Sequence, residues 1–320
     1  MSLSIGRLGW TGISFQTAFN VPSAPTDYIP WETNTLNGIT DQMAVTDAHG
    51  VRDSNFNSVP GKQSGTGELK AYAYTGLVGY LIGAVLGTNT QTNLGNGAWQ
   101  HAFTENQTNT PLYLNLINNR VVDQEYYPNI AVSSVDLEVG IDLASVDAKV
   151  VGGFPFTTTS GNFTTISGNI LSFKQVLFGV GSSVGNALSN LYKTTSVKLT
   201  IDNKSEAIWA HGAATPYAIV HKNIEVKADI ELYFENTNDK QTFYNQTKKA
   251  AVFEFDGAPI GASGYNEKLS IRLYQITFKT FTVNTGLDNF QAEKIQIMGE
   301  YSLPDGKTID ALLINGNGNY

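Results

Sequence analysis

A mainly β fold, an antiparallel sandwich or barrel with one flanking helix, is the class this sequence predicts, and three observations predict it. Apolar and polar residues alternate with a period of two over several stretches, the mark of half-buried antiparallel strands. Only two segments carry helical spacing. Charged residues make up 15% of the chain, against ~25% in ordinary soluble domains, and the polarity comes instead from Asn, Thr, Ser and Gly. With 320 residues, 41% of them hydrophobic, the chain can bury a large core as one big domain or two ordinary ones.

Along the chain, Asn34 to Gly67 reads as a long polar loop containing Asp41, Asp47, His49, Arg52 and Asp53. It exceeds the ~12–15 residues usual for structureless loops, so it is expected to have a role of its own. Thr75 to Leu86 places Leu77, Leu81, Ile82, Val85 and Leu86 at helical spacing, with Gly87 as a stop. Val135, Leu137, Val139 and Ile141 then alternate with Asp136, Glu138, Gly140 and Asp142. Asp202 to Asn223 reads as a second long loop, followed by Val226, Ala228, Ile230, Leu232 and Phe234 in alternation. Asn238 to Ala250 predicts the second helix, with Asn238 or Asp239 as cap and Lys248-Lys249 at its end. Leu269, Ile271 and Leu273 alternate until the phase slips to Ile276 and Phe278, which predicts a bulge near Tyr274 or Gln275. Asp256-Gly257 and Asp305-Gly306 read as punctuation between strands.

Both helical segments follow a strand and precede further strands, and Val135–Gly152 resembles Phe281–Gly299 in pattern. The expectation is an internal duplication: a first β domain over 1–152, a connecting segment over 153–195 and a second β domain over 196–320.

The search for chemistry returns no catalytic constellation. His49, His101, His211 and His221 show no metal-ligand spacing, and His101 is expected to point away from apolar neighbours. Gly179, Gly181 and Gly185 mimic a phosphate-binding turn, but the third glycine falls one position late and no GK[ST] follows, so a flexible loop is expected. Asp136, Glu138 and Asp142 share one strand face, which suits a solvated surface better than paired catalytic carboxylates. The serine elbow G-x-S-x-G is absent. With no cysteine, disulfides and thiolate metal sites are excluded. No enzyme activity and no cofactor are expected. Net charge is -8 without a Lys/Arg run, which argues against a protein that grips nucleic acid. Met1 to Arg7 lacks a signal-peptide core, and Leu77 to Leu86 is too short to span a bilayer, so a soluble, non-exported protein without membrane insertion is expected.

The first hundred residues carry an ordered set of motifs. It opens with Gly12-Ile13-x-Phe15-Gln16-Thr17-Ala18-Phe19-Asn20-Val21-Pro22 and Tyr28-Ile29-Pro30-Trp31. Gly50-Val51-Arg52, Gly61 and Gly65-x-Gly67-x-Leu69 follow, then Leu81 to Gly87 and His101-x-Phe103. Over about 1–105 this resembles the tail tube (major tail) proteins of long-tailed bacteriophages, departing at Gln16, where the pattern carries an acid. The resemblance implies a tail-tube β-sandwich whose inner strands join those of neighbouring copies around a lumen. It implies homo-oligomeric rings stacked into a tube, tape-measure, terminator and distal tail proteins as partners, and DNA passing through without specific binding. The location implied is the virion tail, assembled in the host cytoplasm. Two tube domains per chain imply trimeric rings with pseudo-sixfold symmetry, against six chains with one tube domain each. Asp136, Glu138, Asp142, Glu225, Asp229 and Glu231 are then candidates for an acidic lumen wall. Asp41, Asp47, His49, Arg52 and Asp53 fall in the candidate loop between rings. The rival readings are a terminator or distal tail ring, and a carbohydrate-binding β-sandwich adhesin using Tyr126, Tyr127 and Trp209.

Overall fold

A computed structural model of the chain describes residues 8–47, 50, 52, 57–158, 164–165, 168–192, 194–235, 237–284 and 290–320. The first half runs β1 (Trp10–Phe15), β2 (Asp27–Ile29), β3 (Thr33–Asn34), β4 (Asn37–Val45), β5 (Asn57–Tyr72) and helix α1 (Thr75–Leu86). It continues with β6 (Thr90–Gly95), β7 (Ala98–Thr104), β8 (Leu114–Asn119), β9 (Gln124–Val139) and β10 (Ser145–Gly152). Next come β11 (Phe156–Thr157), β12 (Thr164–Thr165), β13 (Val176–Gly181), α2 (Val184–Ser189) and β14 (Leu191–Tyr192). Then follow β15 (Thr194–Asp202), β16 (Glu206–Ile208), β17 (Ala218–Val220), β18 (Glu225–Tyr233) and α3 (Asn238–Tyr244). The chain ends with β19 (Lys249–Pro259), β20 (Asn266–Asn284), β21 (Ala292–Glu300) and β22 (Ile309–Asn315).

Eight strands form a continuous antiparallel run in the order β4-β5-β10-β9-β15-β18-β21-β20. Along it Leu69, Leu137, Val146, Leu199, Ile230 and Ile297 turn to the core, while Lys70, Asp136, Lys198, Asp229 and Gln296 turn away. The two longest strands each leave this run for other partners. The first residues of β9 pair with β8, which pairs with β1. The first residues of β20 pair with β19 and β22, and β13 pairs with β19. Each of the two strands also carries a bulge within the run. Ser133 is the extra residue where β9 faces Lys149 and Val150, and Lys279 is the extra residue where β20 faces Gln296 and Ile297. The bulge predicted from the phase slip is also present: β20 gains Tyr274 and Gln275 between the residues opposite Lys249 and Ala251.

The same sequence of pairings occurs in both halves. In the first, β4 joins β5, β5 joins β10 and β10 joins β9, with α1 following β5. In the second, β15 joins β18, β18 joins β21 and β21 joins β20, with α3 following β18.

Helix α1 spans the predicted residues, ends at Gly87 with φ 89°, and is buried on every side. It lies among β7, β9, β20 and β22. Such contact leaves no room at Gly79, where a Cβ would stand 2.4 Å from the Tyr320 ring. Burial of each of its Leu and Ile side chains contributes ~1.5–3 kcal/mol. One apolar cluster runs from Ile13 to Leu313 and draws on both halves.

Several expectations are corrected. Within 34–67, Asn37–Val45 pairs antiparallel with the first part of β5, in place of a loop. The 202–223 segment contains the small β16–β17 hairpin. The second helix stops at Tyr244, and Lys249 already begins β19. Asp256-Gly257 lies inside β19 at a register shift, and the turn falls beyond it, at Gly261 and Gly264, both at positive φ. Gly179 and Gly181 belong to β13, under α2, instead of a flexible loop. β9 ends at Val139, so Ile141 is 71% exposed and Asp142 occupies the following bend. His101 points inward and is fully buried. Its Nε2 lies 2.8 Å from the Asn317 carbonyl and its ring 4.5 Å from that of Tyr320.

Candidate assembly surfaces

The side of the eight-stranded run that faces away from the core carries the candidate wall residues. Alternation along β9 puts Asp136 and Glu138 on this face, and alternation along β18 puts Glu225, Asp229 and Glu231 there. Antiparallel pairing of β9 with β15 and of β15 with β18 sets the two groups on one surface. Asp142, in the bend, does not share it.

These acids sit in a lattice of cross-strand pairs. Lys198 on β15 places its Nζ 3.2 Å from Asp136 and 3.9 Å from Glu138, and the Asp136 contact raises the lysine's pKa. Glu225 takes Lys227 at 2.5 Å and Lys204 at 2.9 Å, and these two partners hold its carboxyl down at about 2. Lys294 reaches Glu231 at 3.1 Å, and Lys149 reaches Glu68 at 3.5 Å. Asp229 accepts from the Gln296 amide at 2.9 Å. Asp147 is raised by partial burial and then by Glu68 and Asp136. All these pairs are half exposed, so each contributes ~0–1 kcal/mol and the lattice acts mainly through its charge pattern. Sequence reasoning singled out the acids of this lattice but not the lysines that pair with them. The alternation of Val197, Leu199 and Ile201 with Lys198 and Thr200 was the available signal.

At one end of the run the β4–β5 hairpin extends as an arm. Residues 57–64 of β5 pair only with β4, whereas 65–72 also pair with β10. Ile39, Met43 and Val59 are about half exposed there, and Met43 lies directly across from Val59. Asp41 lies opposite a bulge of β5, at Gly61 and Lys62, and Asp47 and Arg52 lie in bends beyond the paired part. His49 and Asp53 lie outside the described residues. The arm leans on the β16–β17 hairpin: the Gln63 amide donates to the Ala214 carbonyl at 2.8 Å, and Lys62 lies 4.7 Å over the Trp209 ring. A groove of about 670 Å³ runs between them, lined by Met43, Pro60, Ile208 and Trp209 among others.

The aromatic platform expected of an adhesin is not assembled. Tyr126 and Tyr127 are buried, with the Tyr126 hydroxyl on Asn115 and that of Tyr127 donating to Glu125 at 2.6 Å. Gln16, the departure from the motif, is buried and uses both ends of its amide: Nε2 donates to Asn129 Oδ1 at 2.6 Å and Oε1 accepts from the Asn129 amide at 2.9 Å. A carboxylate could not donate the first of these. Among the described residues, no helix is long and apolar enough to cross a membrane.

No curated protein matches the sequence. A family model does: residues 10–297 match the model described as phage tail tube protein. The match runs through both halves, from β1 to β21. The chain therefore belongs to the phage tail tube protein family, a structural component of the virion tail.

Proposed function

We propose that this chain polymerises into stacked rings that form the tail tube, the conduit for genome delivery. The observation that carries the reading is the eight-stranded run with both edges open: among the described residues, no strand pairs with the outer side of β4 or with the outer side of 277–284 in β20. Open edges of this length are a hazard that proteins cover or use. Strand directions alternate across an even number of strands, so β4 of one copy meets β20 of the next antiparallel. The junction already exists once inside the chain, where β9 joins β15 antiparallel. Closure of such junctions around an axis leaves no edge free.

The twofold repetition of pairings, with a bulge at Ser133 in one half and Lys279 in the other, supports a duplicated tube unit. On this reading the division into 1–152 and 196–320, joined by 153–195, is a division into repeats. Three chains then supply the six units of a ring. The polar lattice lines the bore. Acids on it, among them Glu68, Asp136, Glu138, Asp147, Asp202, Glu225, Asp229 and Glu231, stand against lysines that include Lys70, Lys149, Lys198, Lys204, Lys227 and Lys294. A mildly acidic wall with most of its lysines (Lys149, Lys198, Lys204, Lys227 and Lys294) engaged by acids offers DNA phosphates few points of capture. The arm, with Asp41, Asp47 and Arg52, contacts the adjacent ring. Tape-measure, terminator and distal tail proteins are the remaining partners, and assembly takes place in the host cytoplasm.

Electron microscopy of purified protein, alone or with tail initiator proteins, tests the reading. Hollow tubes are expected. Rings that never stack would favour a terminator or distal tail ring, and a persistent monomer would overturn the proposal.

A further inference from the structure

We propose that Asp239 and Glu293 form a binding site for a hard divalent cation, calcium or magnesium, that fastens helix α3 to strand β21. The proposal is independent of tube formation. Glu293 occupies a position on β21 in register with Ile295 and Ile297, whose side chains enter the core, and it lies across from Leu232 and Val283. The first-half residue facing Ala71 near the end of β5, as Glu293 faces Leu232 near the end of β18, is the apolar Val146. A carboxyl group thus stands where packing alone takes a valine.

Burial first, and then the charge of Asp239 and a hydrogen bond with it, push the Glu293 carboxyl up to about 7. Glu293 is 2% exposed and Asp239, in the first turn of α3, is 8% exposed, and the two side chains face each other. Among the described residues neither makes an ion pair with a Lys, Arg or His, and Lys249 acts on Asp239 only from longer range. Glu293 Oε2 has no hydrogen-bond partner. Both side chains line a cavity of about 390 Å³, together with Glu235, Tyr192, Tyr233 and Leu232. Two facing buried carboxylates without a basic partner are unfavourable unless a cation or a shared proton lies between them. The cavity has room for a cation with its water. The donors are all oxygen, which selects calcium or magnesium over zinc or copper. Among the described residues no third acidic or imidazole side chain completes a cage, so water and backbone carbonyls fill the remaining positions, as magnesium sites in particular allow.

The cavity supplies its own reporter, because Tyr192 and Tyr233 line it and tyrosine excitation sensitises terbium emission. Terbium(III) added to chelator-treated, full-length protein is expected to give tyrosine-sensitised emission that calcium displaces. Calcium is also expected to raise the melting temperature at neutral pH. Glu293→Gln and Asp239→Asn, each close in shape to the native residue, should weaken terbium binding at least tenfold and remove the calcium effect on melting. A Tyr192→Phe/Tyr233→Phe variant should lose the emission and keep the calcium effect. The proposal is overturned by emission equal in the wild type and the Glu293→Gln/Asp239→Asn double variant. It is equally overturned if the wild type melts at the same temperature with and without calcium or magnesium and gains stability only on acidification, which would mean a shared proton.

Discussion

Gly179 and Gly181 lie beneath α2, and a Cβ on Gly181 would stand 2.4 Å from the Ala187 backbone nitrogen. Neither residue has positive φ, so the requirement for glycine is one of space alone. Gly181→Ala should push the helix off β13 and cost ~1–3 kcal/mol, read as a lower urea midpoint with an unchanged m-value. In the sequence the same glycines looked like a loop, because spacing records where glycine falls and not what packs on it. His221 makes a second case. It is 8% exposed, with Nδ1 2.7 Å from Ser205 Oγ, and burial pushes its imidazole down to about 4 from 6.5. Charging it is harder in the folded chain than in the unfolded one. Its contribution is therefore complete above pH 6.5 and is lost progressively as pH falls toward 4, by ~3 kcal/mol in all. Urea midpoints measured from pH 7.5 to 4.5 should fall in the wild type and fall less in His221→Gln. Equal slopes would mean that other groups govern the acid response. The lysine partners of the candidate wall acids were hidden in the sequence for a different reason: Lys198 and Asp136 meet only through the pairing of β15 with β9, which no local pattern encodes.

Among the elements, those with one buried face were legible and those exposed on both were not. Helix α1 was read to the residue because five large apolar side chains fall at helical spacing before a glycine stop. β9, β18 and β20 were read from alternation, with the phase slip of β20 marking its bulge. β4 and the first part of β5 escaped because both their faces meet solvent, so Gly, Ser, Thr and Gln replace the period-two signal with a polar run. The second helix was overextended because Lys248-Lys249 resembles a helix end, whereas Gln246 turns the chain at φ 49° and β19 follows. The arm leads to a prediction at this scale. Its outer part pairs only within itself. Replacing Asp41 to Gly61 with a two-residue turn should leave the β5–β10 ladder, the circular dichroism spectrum and the melting transition nearly unchanged while tube elongation fails. Normal-length tubes from this deletion would show that the arm does not bridge rings.

For the molecule as a whole, the sequence carried the β class and the family, while the course of the sheet was not accessible to it. The run depends on long-range pairings such as β9 with β15 and β18 with β21, and on two strands that change partners at bulges. Its polar face makes the conduit reading testable in virions. Asp136→Lys with Glu138→Lys would surround Lys198 with like charge and turn a paired lattice into a basic patch. In particles that still assemble, genome ejection should slow and depend more steeply on salt, because free lysines on the wall would bind phosphates and release counterions. Ejection kinetics equal to wild type would place this face away from the bore. The most direct measurement is a cross-sectional cryo-electron microscopy map of the assembled tube, fine enough to trace strands. The account predicts three chains per ring, with β4 of each chain paired antiparallel to residues 277–284 of the next and Asp136, Lys198 and Asp229 facing the lumen. Six chains per ring with six copies of residues 1–152 around the bore, or the polar lattice on the tube's exterior, would contradict it.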